Sequence, residues 1–375
     1  MSLLSRLGPR NGGHVSHTAN AMGHSVSQCL ETEDGDALLE LVLGDGGQGP
    51  DEIGDALQAA SVADSDVDVF TALNYATQLF HNAITLNGCA RWILPALFGL
   101  NLRLFRCAAE ADDRLVASGQ KPRCLEEAAR TMNKAFSVCA TDRFNPIQAS
   151  RKWGAYYMCN MLFRTYFRLK QINLAANLIR SLKSVDLPAL EEYPIAHVVT
   201  YRYYMGVLAF YDEQYKRAQE ELTFALQNFP PLTTPTRVHN HNLLLVHLIP
   251  VNLLSGRIPA SNLLQSHHPQ LVDMYTDLIS AIGSGRLGNF DVLLDEKQNE
   301  LIRRGVFLTM ERFKLQMADA KYGRGSFLIR NKTTRLDLND ILLGAQVAGS
   351  DDVSMDQIEC LVANLIDKVS VRHFV

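Results

Sequence analysis

The sequence predicts an all-α protein, a right-handed stack of helix pairs, and three observations carry that expectation. From Asp51 onward apolar residues recur at i, i+3 and i+4, and strand-like alternation is absent from these runs. Breakers separate the runs, as Asn87-Gly88, Ser118-Gly119 and Phe144-Asn145-Pro146. Tyr201–Pro230 reads as two antiparallel helices joined by the polar turn Tyr211–Tyr215, with Leu222, Leu226 and Phe229 as apolar bulk. Its Gly206, Ala209, Ala218 and Ala225 fall where packed helices approach closely. The Gly206, Ala218, Ala225 and Pro230 offsets match the tetratricopeptide (TPR) helix–turn–helix pattern, without its Trp and Tyr positions. Such a unit leaves an apolar face uncovered, so it requires neighbours stacked on either side.

Taken in order, residues 1–50 are rich in Gly, Ser, His and acid and read as a flexible acidic arm with one short helix, about Ala37–Leu43. Residues 51–299 form the TPR-like helical-repeat domain. Its early helices are Ile53–Ala60, Val67–Leu86, Ala90–Ala117 and Pro122–Cys139. Residues 147–170 read as one long helix crowded with aromatics, followed by Asn173–Leu182. After the central pair come Val238–Leu254, Ala260–Ser266, Pro269–Ser280, Phe290–Leu294 and the strongly amphipathic Asn299–Leu315. Residues 300–375 then carry the order of a winged helix: a short strand around Thr333–Leu338, a helix at Asn339–Val347, a turn, a second helix and a β-like tail, Val369–Val375. Ser354 and Gln357 have capping-box spacing at the start of that second helix.

The net charge of -4 conceals an asymmetry. Residues 1–70 hold twelve Asp/Glu against Arg6 and Arg10, whereas residues 143–183 hold eight Lys/Arg and no acid. Residues 300–335 hold nine bases against three acids. This distribution points to an acidic or polyanionic partner along the middle and C-terminal parts. The seven cysteines show no C-x-x-C pair and read as reduced core thiols of a nuclear or cytosolic protein. The N-terminal apolar run is too short for a signal peptide, and Trp92–Leu102 is too short to span a bilayer. A soluble intracellular protein with no membrane partner is expected.

Motifs for chemistry are weak. Gly283, Gly285 and Gly288 fit G-x-G-x-x-G, but a helix precedes them where a dinucleotide site needs a strand. His239, His241, His247, His267 and His268 lack Cys or acid at ligand spacing. Acidic pairs such as Glu126-Glu127, Glu191-Glu192 and Glu220-Glu221 are adjacent in sequence and diverge by about 100° on a helix. No serine elbow, P-loop or H-E-x-x-H occurs. No catalytic residue, metal or cofactor is assigned. An enzyme would instead reveal itself through turnover lost on mutating one polar pocket residue.

Lys152, Arg164, Arg168, Lys170, Arg180 and Lys183 form a basic face interleaved with Trp153, Tyr156, Tyr157, Tyr166 and Phe167. That face suits nucleic acid, through phosphate contact and stacking. The other reading makes the aromatics core and the bases a solvated rim. In the last helix, Asp356 and Glu359 take the early outward positions and would repel phosphate, so base reading there is not expected.

Stacked helix pairs running into a C-terminal winged helix resemble the PCI-domain proteins. CATDRFNPIQASRKWG (139–154), TYRYYMGVLAFYDEQYKRAQEELTFAL (200–226), LLVHLIPVNLLSGRIP (244–259), FLTMERFKL (307–315) and DQIECLVANLI (356–366) narrow the likeness. Over about residues 50–368 the chain resembles the PCI subunit of the nuclear transcription-coupled mRNA-export complex (TREX-two), of the signalosome-subunit-twelve-like family. The resemblance implies a non-catalytic scaffold at the nuclear pore that binds a Sac/GANP-type export scaffold and a small acidic DSS/Sem-type protein. It also implies a sequence-nonspecific nucleic-acid platform of RNA or DNA type. The basic residues that charge assigns to that region are Arg303, Arg304, Arg312, Lys314, Arg324, Arg330, Lys332, Arg335, Lys368 and Arg372. Two departures stand out: the wing is shortened, ending at DKVSVRHFV, and KYGRGSFLIRNKTTR is glycine-rich where a helical connection is expected. The alternative is a PCI subunit of a proteasome-lid, signalosome or translation-initiation assembly.

Overall fold

The computed structural model describes residues 29, 35–43, 52–63, 65–259, 269–284, 287–314, 337–347 and 354–367. The described residues are helical or connecting, with no strand among them, so the all-α expectation holds. Two compact units divide at His197/Val198.

The first unit begins with α1 (Gly35–Leu43), α2 (Glu52–Val62) and α3 (Asp66–Asn87). Ser65 caps α3 by accepting from the Asp68 N–H, and Gly88 closes it in the left-handed conformation at φ 62°, where a side chain would be strained. α4 (Leu94–Ala117) follows a short 3₁₀ turn, then come α5 (Cys124–Ala140), α6 (Ala155–Arg168) and α7 (Asn173–Lys183). α2 packs on α3, α3 on α4 and α5, α1 on α4, α5 on α6, and α6 on α7. Phe70, Phe80, Leu97, Leu100 and Phe163 lie wholly inside. By length and composition the 91–117 stretch would suffice to cross a bilayer. However, 61% of its most apolar window is buried within the protein, which makes it a core helix. Within this helix the buried Asp112 carboxylate accepts from the backbone N–H groups of Arg123, Cys124 and Leu125 at 2.8–2.9 Å. It thereby caps α5 from a neighbouring helix and meets the N-terminal donors that no residue of α5 itself satisfies.

The expected single helix over 147–170 is a correction. The chain makes 3₁₀ turns at Ile147–Ala149 and Arg151–Gly154 before α6 begins. Ser150 sits in extended conformation between them, and its hydroxyl accepts from the Lys152 N–H, so the helix starts afresh.

In the second unit, α8 (Ile195–Tyr211) and α9 (Tyr215–Gln227) form the TPR-like pair, with α8 beginning upstream of the expected Tyr201. Their approach depends on Gly206: a Cβ there would lie 2.6 Å from Leu222 Cγ. The Arg202–Glu221 ion pair at 3.0 Å spans the same two helices. α10 (Pro235–Leu254) docks on α9, where Gln219 Nε2 donates to Asn252 Oδ1. α11 (Pro269–Ser284) packs on α12 (Leu287–Glu296) and anchors to α10 through Tyr275 Oη donating to the Val246 carbonyl. The expected helix Ala260–Ser266 and the pair His267-His268 lie outside the described residues. Of the glycine motif, Gly283 lies at the end of α11 and Gly288 at the start of α12, and Gly285 falls outside the described residues.

Asn299–Leu315 is a second correction, because it divides into α13 (Gln298–Arg303) and α14 (307–314). Gly305 adopts φ 73°, its N–H reaches the Ile302 carbonyl, and the Val306 N–H reaches that of Leu301. This is a Schellman stop, sealed by the fully buried Leu301 and Val306. α15 (Leu338–Val347) packs on α16 (Met355–Asp367). Ser354 and Gln357 exchange the two reciprocal hydrogen bonds of a capping box, as their spacing predicts. The expected strand start at 333–336 and the tail 369–375 fall outside the described residues. Five of the seven cysteines are buried, but Cys360 is exposed and Cys107 half-buried, which corrects the uniform core assignment.

Candidate partner-binding surfaces

Four of the C-terminal bases are described, and each meets an acid of its own chain. Arg303 Nη2 and Arg304 Nε reach the two Glu300 oxygens at 2.6 and 3.0 Å. Those hydrogen bonds hold the Glu300 carboxyl below its ordinary range. Arg312 pairs with Glu213 and lies over the Tyr215 ring, while Lys314 reaches Asp291 at 3.1 Å. Pairs this exposed contribute about 0–1 kcal/mol each. Their larger effect is on the field, because they remove the bare positive edge that the local sequence suggests. Arg324, Arg330, Lys332, Arg335, Lys368 and Arg372 lie outside the described residues.

The second set is dispersed. Arg164 lies 4.5 Å over the Phe105 ring, and Arg168 Nη2 forks onto both oxygens of Asp113. Arg180 donates to Asn177 on its own helix, Lys170 sits in the α6–α7 turn at φ 57°, and Lys183 is exposed at the end of α7. Lys152 is half-buried, and its carbonyl accepts from Tyr193 Oη. Of the aromatics between them Tyr166 is buried, and Trp153, Tyr156, Tyr157 and Phe167 are half-buried. Tyr157 stacks on Phe98 at 3.9 Å, Trp153 and Tyr156 pack against Tyr193, and Tyr166 is buried. These rings are core contacts and leave no run of stacking platforms beside the cations.

The 139–154 stretch instead builds a buried ionic clasp. Asp142, 2% exposed, accepts from Ser150 Oγ and the Arg151 N–H at 2.8 Å, from Asn145 Nδ2 and from the Phe144 N–H. The Arg151 guanidinium, also buried, sits 3.4 Å from Asp142 and donates to the Ile84 carbonyl at 3.0 Å. Asn145 Nδ2 also faces the Gly88 and Cys89 carbonyls at 3.3 Å. The loop after α5 is thereby tied to the end of α3. Burial pushes the Asp142 carboxyl up. The hydrogen bonds from Arg151, Ser150 and Asn145 and the Arg151 charge outweigh that and hold it below the ordinary aspartate value. At Gly154 a Cβ would come within 2.7 Å of Leu94 and 2.9 Å of Cys139 Sγ, so only glycine fits without a shift.

Sequence reasoning missed a groove of about 870 Å³ lined by α3, α5 and α7. Arg130 and Lys134, one turn apart on α5, stand exposed in its lining. The (i, i+4) spacing was visible in the sequence; nothing there shows that α7 lies opposite. Two of the histidines pack as structural rings: His241 lies against Phe229, and His247 packs edge-on to Phe210. Burial lowers the His247 pKa to about 4, from an ordinary value of 6.5. Among the described residues no group of His, Cys, Asp and Glu is arranged to hold a metal.

No family model matches the chain. It is 36% identical over 252 residues to the protein CSN12 homolog of Schizosaccharomyces pombe, covering 67% of this chain and 58% of that protein. The CSN12 homolog of Neurospora crassa is 30% identical over 357 residues, covering 86% of this chain and 78% of that protein. PCI domain-containing protein 2 of Danio rerio is 30% identical over 316 residues, covering 82% and 75%. The chain thus spans under two thirds of the fission-yeast relative and about three quarters of the other two.

Proposed function

Because the chain belongs to the family of CSN12 homologs and PCI domain-containing protein 2, we propose that it is a non-catalytic scaffold subunit of a nuclear mRNA-export complex of TREX-two type. Family membership over most of the chain is the observation that carries this reading. In it, the chain binds a larger Sac/GANP-type export scaffold and a small acidic DSS/Sem-type subunit, and it works at the nuclear pore. Residues 300–375 act as the winged-helix part of the PCI domain. Any RNA or DNA contact there is sequence-nonspecific and falls to the run Lys321–Arg335, which carries five bases and no acid. The described bases Arg303, Arg304, Arg312 and Lys314 contribute less, since each is already opposed by an acid.

The test is affinity purification of the tagged full chain from nuclear extract, with partners identified by mass spectrometry. A large export scaffold together with a small acidic protein is the expected result. Recovery of signalosome or proteasome-lid subunits alone would establish the second reading, a PCI subunit of one of those assemblies. The name CSN12 carried by two of the relatives is the observation that favours it.

A further inference from the structure

The end of α8 carries an acid where local chemistry disfavours one. Glu213 adopts φ 56°, its N–H reaches the Phe210 carbonyl, and the Gln214 N–H reaches that of Ala209. These are the two hydrogen bonds of a Schellman stop, with Glu213 in its left-handed position. Glycine takes that conformation freely, whereas a side chain there is strained. The C-terminus of a helix also holds the negative end of its dipole, which repels a carboxylate and attracts a cation. The other described residues with positive φ keep at least one of these rules: Gly88, Gly119, Gly256 and Gly305 are glycines, and Lys170, which follows α6, is a cation. Glu213 breaks both.

Tertiary structure shows what the acid is held against. Gly305, at the break between α13 and α14, faces the same turn, since a Cβ there would lie 3.1 Å from Tyr211 Oη. From α14, Arg312 reaches back to pair with Glu213, and its guanidinium lies 5.3 Å over the Tyr215 ring. The pair is open to water, with the Glu213 side chain 64% and that of Arg312 38% exposed. So exposed a pair adds little to stability, and it does not account for an acid at a glycine position. The neighbouring bases are occupied in the same way, Arg303 and Arg304 by Glu300 and Lys314 by Asp291. Every described base of this edge thus has an anion of its own chain on it.

We propose that Glu213 is an autoinhibitory competitor: its carboxylate stands in for a nucleic-acid phosphate on Arg312, and a strand engages this edge by displacing it. Carboxylate and phosphate oxygens both accept charge-assisted hydrogen bonds from a guanidinium, so the displacement exchanges one such contact for another. Because the acid is tethered beside its cation, it competes at high effective concentration, and the free chain holds strands weakly. The inference rests on the nucleic-acid contact proposed above for residues 300–375. A purely structural role for the pair, seating α14 on the α8–α9 turn, predicts no change in strand binding when the acid is removed.

The experiment is anisotropy titration of fluorescent oligouridylate with the full chain across a salt series. Glu213→Gln frees Arg312 and keeps a side chain at the strained position, whereas Glu213→Gly frees it and relieves the backbone. Both should bind about threefold or more tighter than the unaltered chain at low salt, and the slope of log affinity against log salt should steepen by about 0.7, the value for one added phosphate contact on a single strand. Asp212→Asn makes the same change of net charge one position away, at an exposed acid with no ion pair among the described residues, and should leave affinity unchanged. Arg312→Gln combined with Glu213→Gln should cancel the gain. Melting curves establish that each variant folds. Binding by the unaltered chain that neither Glu213 variant improves beyond Asp212→Asn would overturn the inference and leave the nucleic-acid contact standing. A gain that survives Arg312→Gln would do the same. Absence of binding in every variant would overturn both.

Discussion

Asp142→Ala removes the only carboxylate that faces the Arg151 guanidinium among the described residues, while the guanidinium stays buried and keeps its bond to the Ile84 carbonyl. Breaking a buried pair from one side costs about 3–5 kcal/mol, because an uncompensated charge remains. The bonds from Ser150 Oγ and the Arg151 N–H are lost as well. Each would add about 1 kcal/mol in isolation, but they belong to one network and will not sum. About 3–5 kcal/mol is therefore the expected total, and at roughly 2–4 °C per kcal/mol for a unit of this size the melting temperature should fall by roughly 6–20 °C. Arg151→Met in the same background removes the stranded charge and should return part of that loss. A double-mutant cycle read by chemical denaturation should show coupling of about 1–3 kcal/mol. The depressed Asp142 pKa fixes the sign with pH. Its stabilisation is fully present above the unfolded aspartate pKa of about 3.9 and is lost as pH falls through the lower folded value. Strict additivity of the two single mutants, or a loss below 1 kcal/mol for Asp142→Ala, would refute the clasp.

Three further expectations follow from packing and titration. Gly206→Ala places a methyl 2.6 Å from Leu222 Cγ and should cost about 1–3 kcal/mol, and Gly206→Leu should cost more. An unchanged melting temperature would mean that α8 and α9 do not pack as described. Gly305→Ala forces a side chain into φ 73° and against Tyr211 Oη at 3.1 Å, so a loss of about 1 kcal/mol or more is expected. A stabilised variant would show that the α13–α14 break is not fixed by this turn. Burial depresses His81 to about 3 and both His197 and His247 to about 4, so the native state resists protons that the unfolded chain takes up near 6.5. Stability should thus be full above pH 6.5 and decline steadily towards pH 4, and a flat melting temperature across that window would contradict the buried neutral rings.

The helices were legible where a single element carries its own instructions. The Ser354/Gln357 box, the glycine after α3 and the spacing of Gly206 against Ala218 and Ala225 are local codes, and the structure uses each in the manner its chemistry dictates. Failure came where periodicity continued across a stop. Residues 299–315 keep a helical apolar rhythm through Gly305, and only the pairing of Leu301 with Val306 shows that the chain turns there. Residues 147–170 likewise conceal the extended Ser150, whose hydroxyl answers to Asp142 eight positions earlier.

Charge was the least legible property, and the reason is geometric. A run such as 300–314 reads as basic because Glu300 alone opposes both Arg303 and Arg304, and the acids of the other two bases lie outside it: Glu213 is 99 residues from Arg312, and Asp291, which meets Lys314, belongs to α12. The converse holds at Arg130 and Lys134. Their sequence neighbourhood contains Glu126 and Glu127, and a one-dimensional count scores it as balanced. Folding turns Glu126 towards Gln171 and leaves both cations beside an acid-free trough. Charge runs in a helical stack therefore identify residues available for pairing, and only the fold shows which cations are opposed by an acid and which stand exposed.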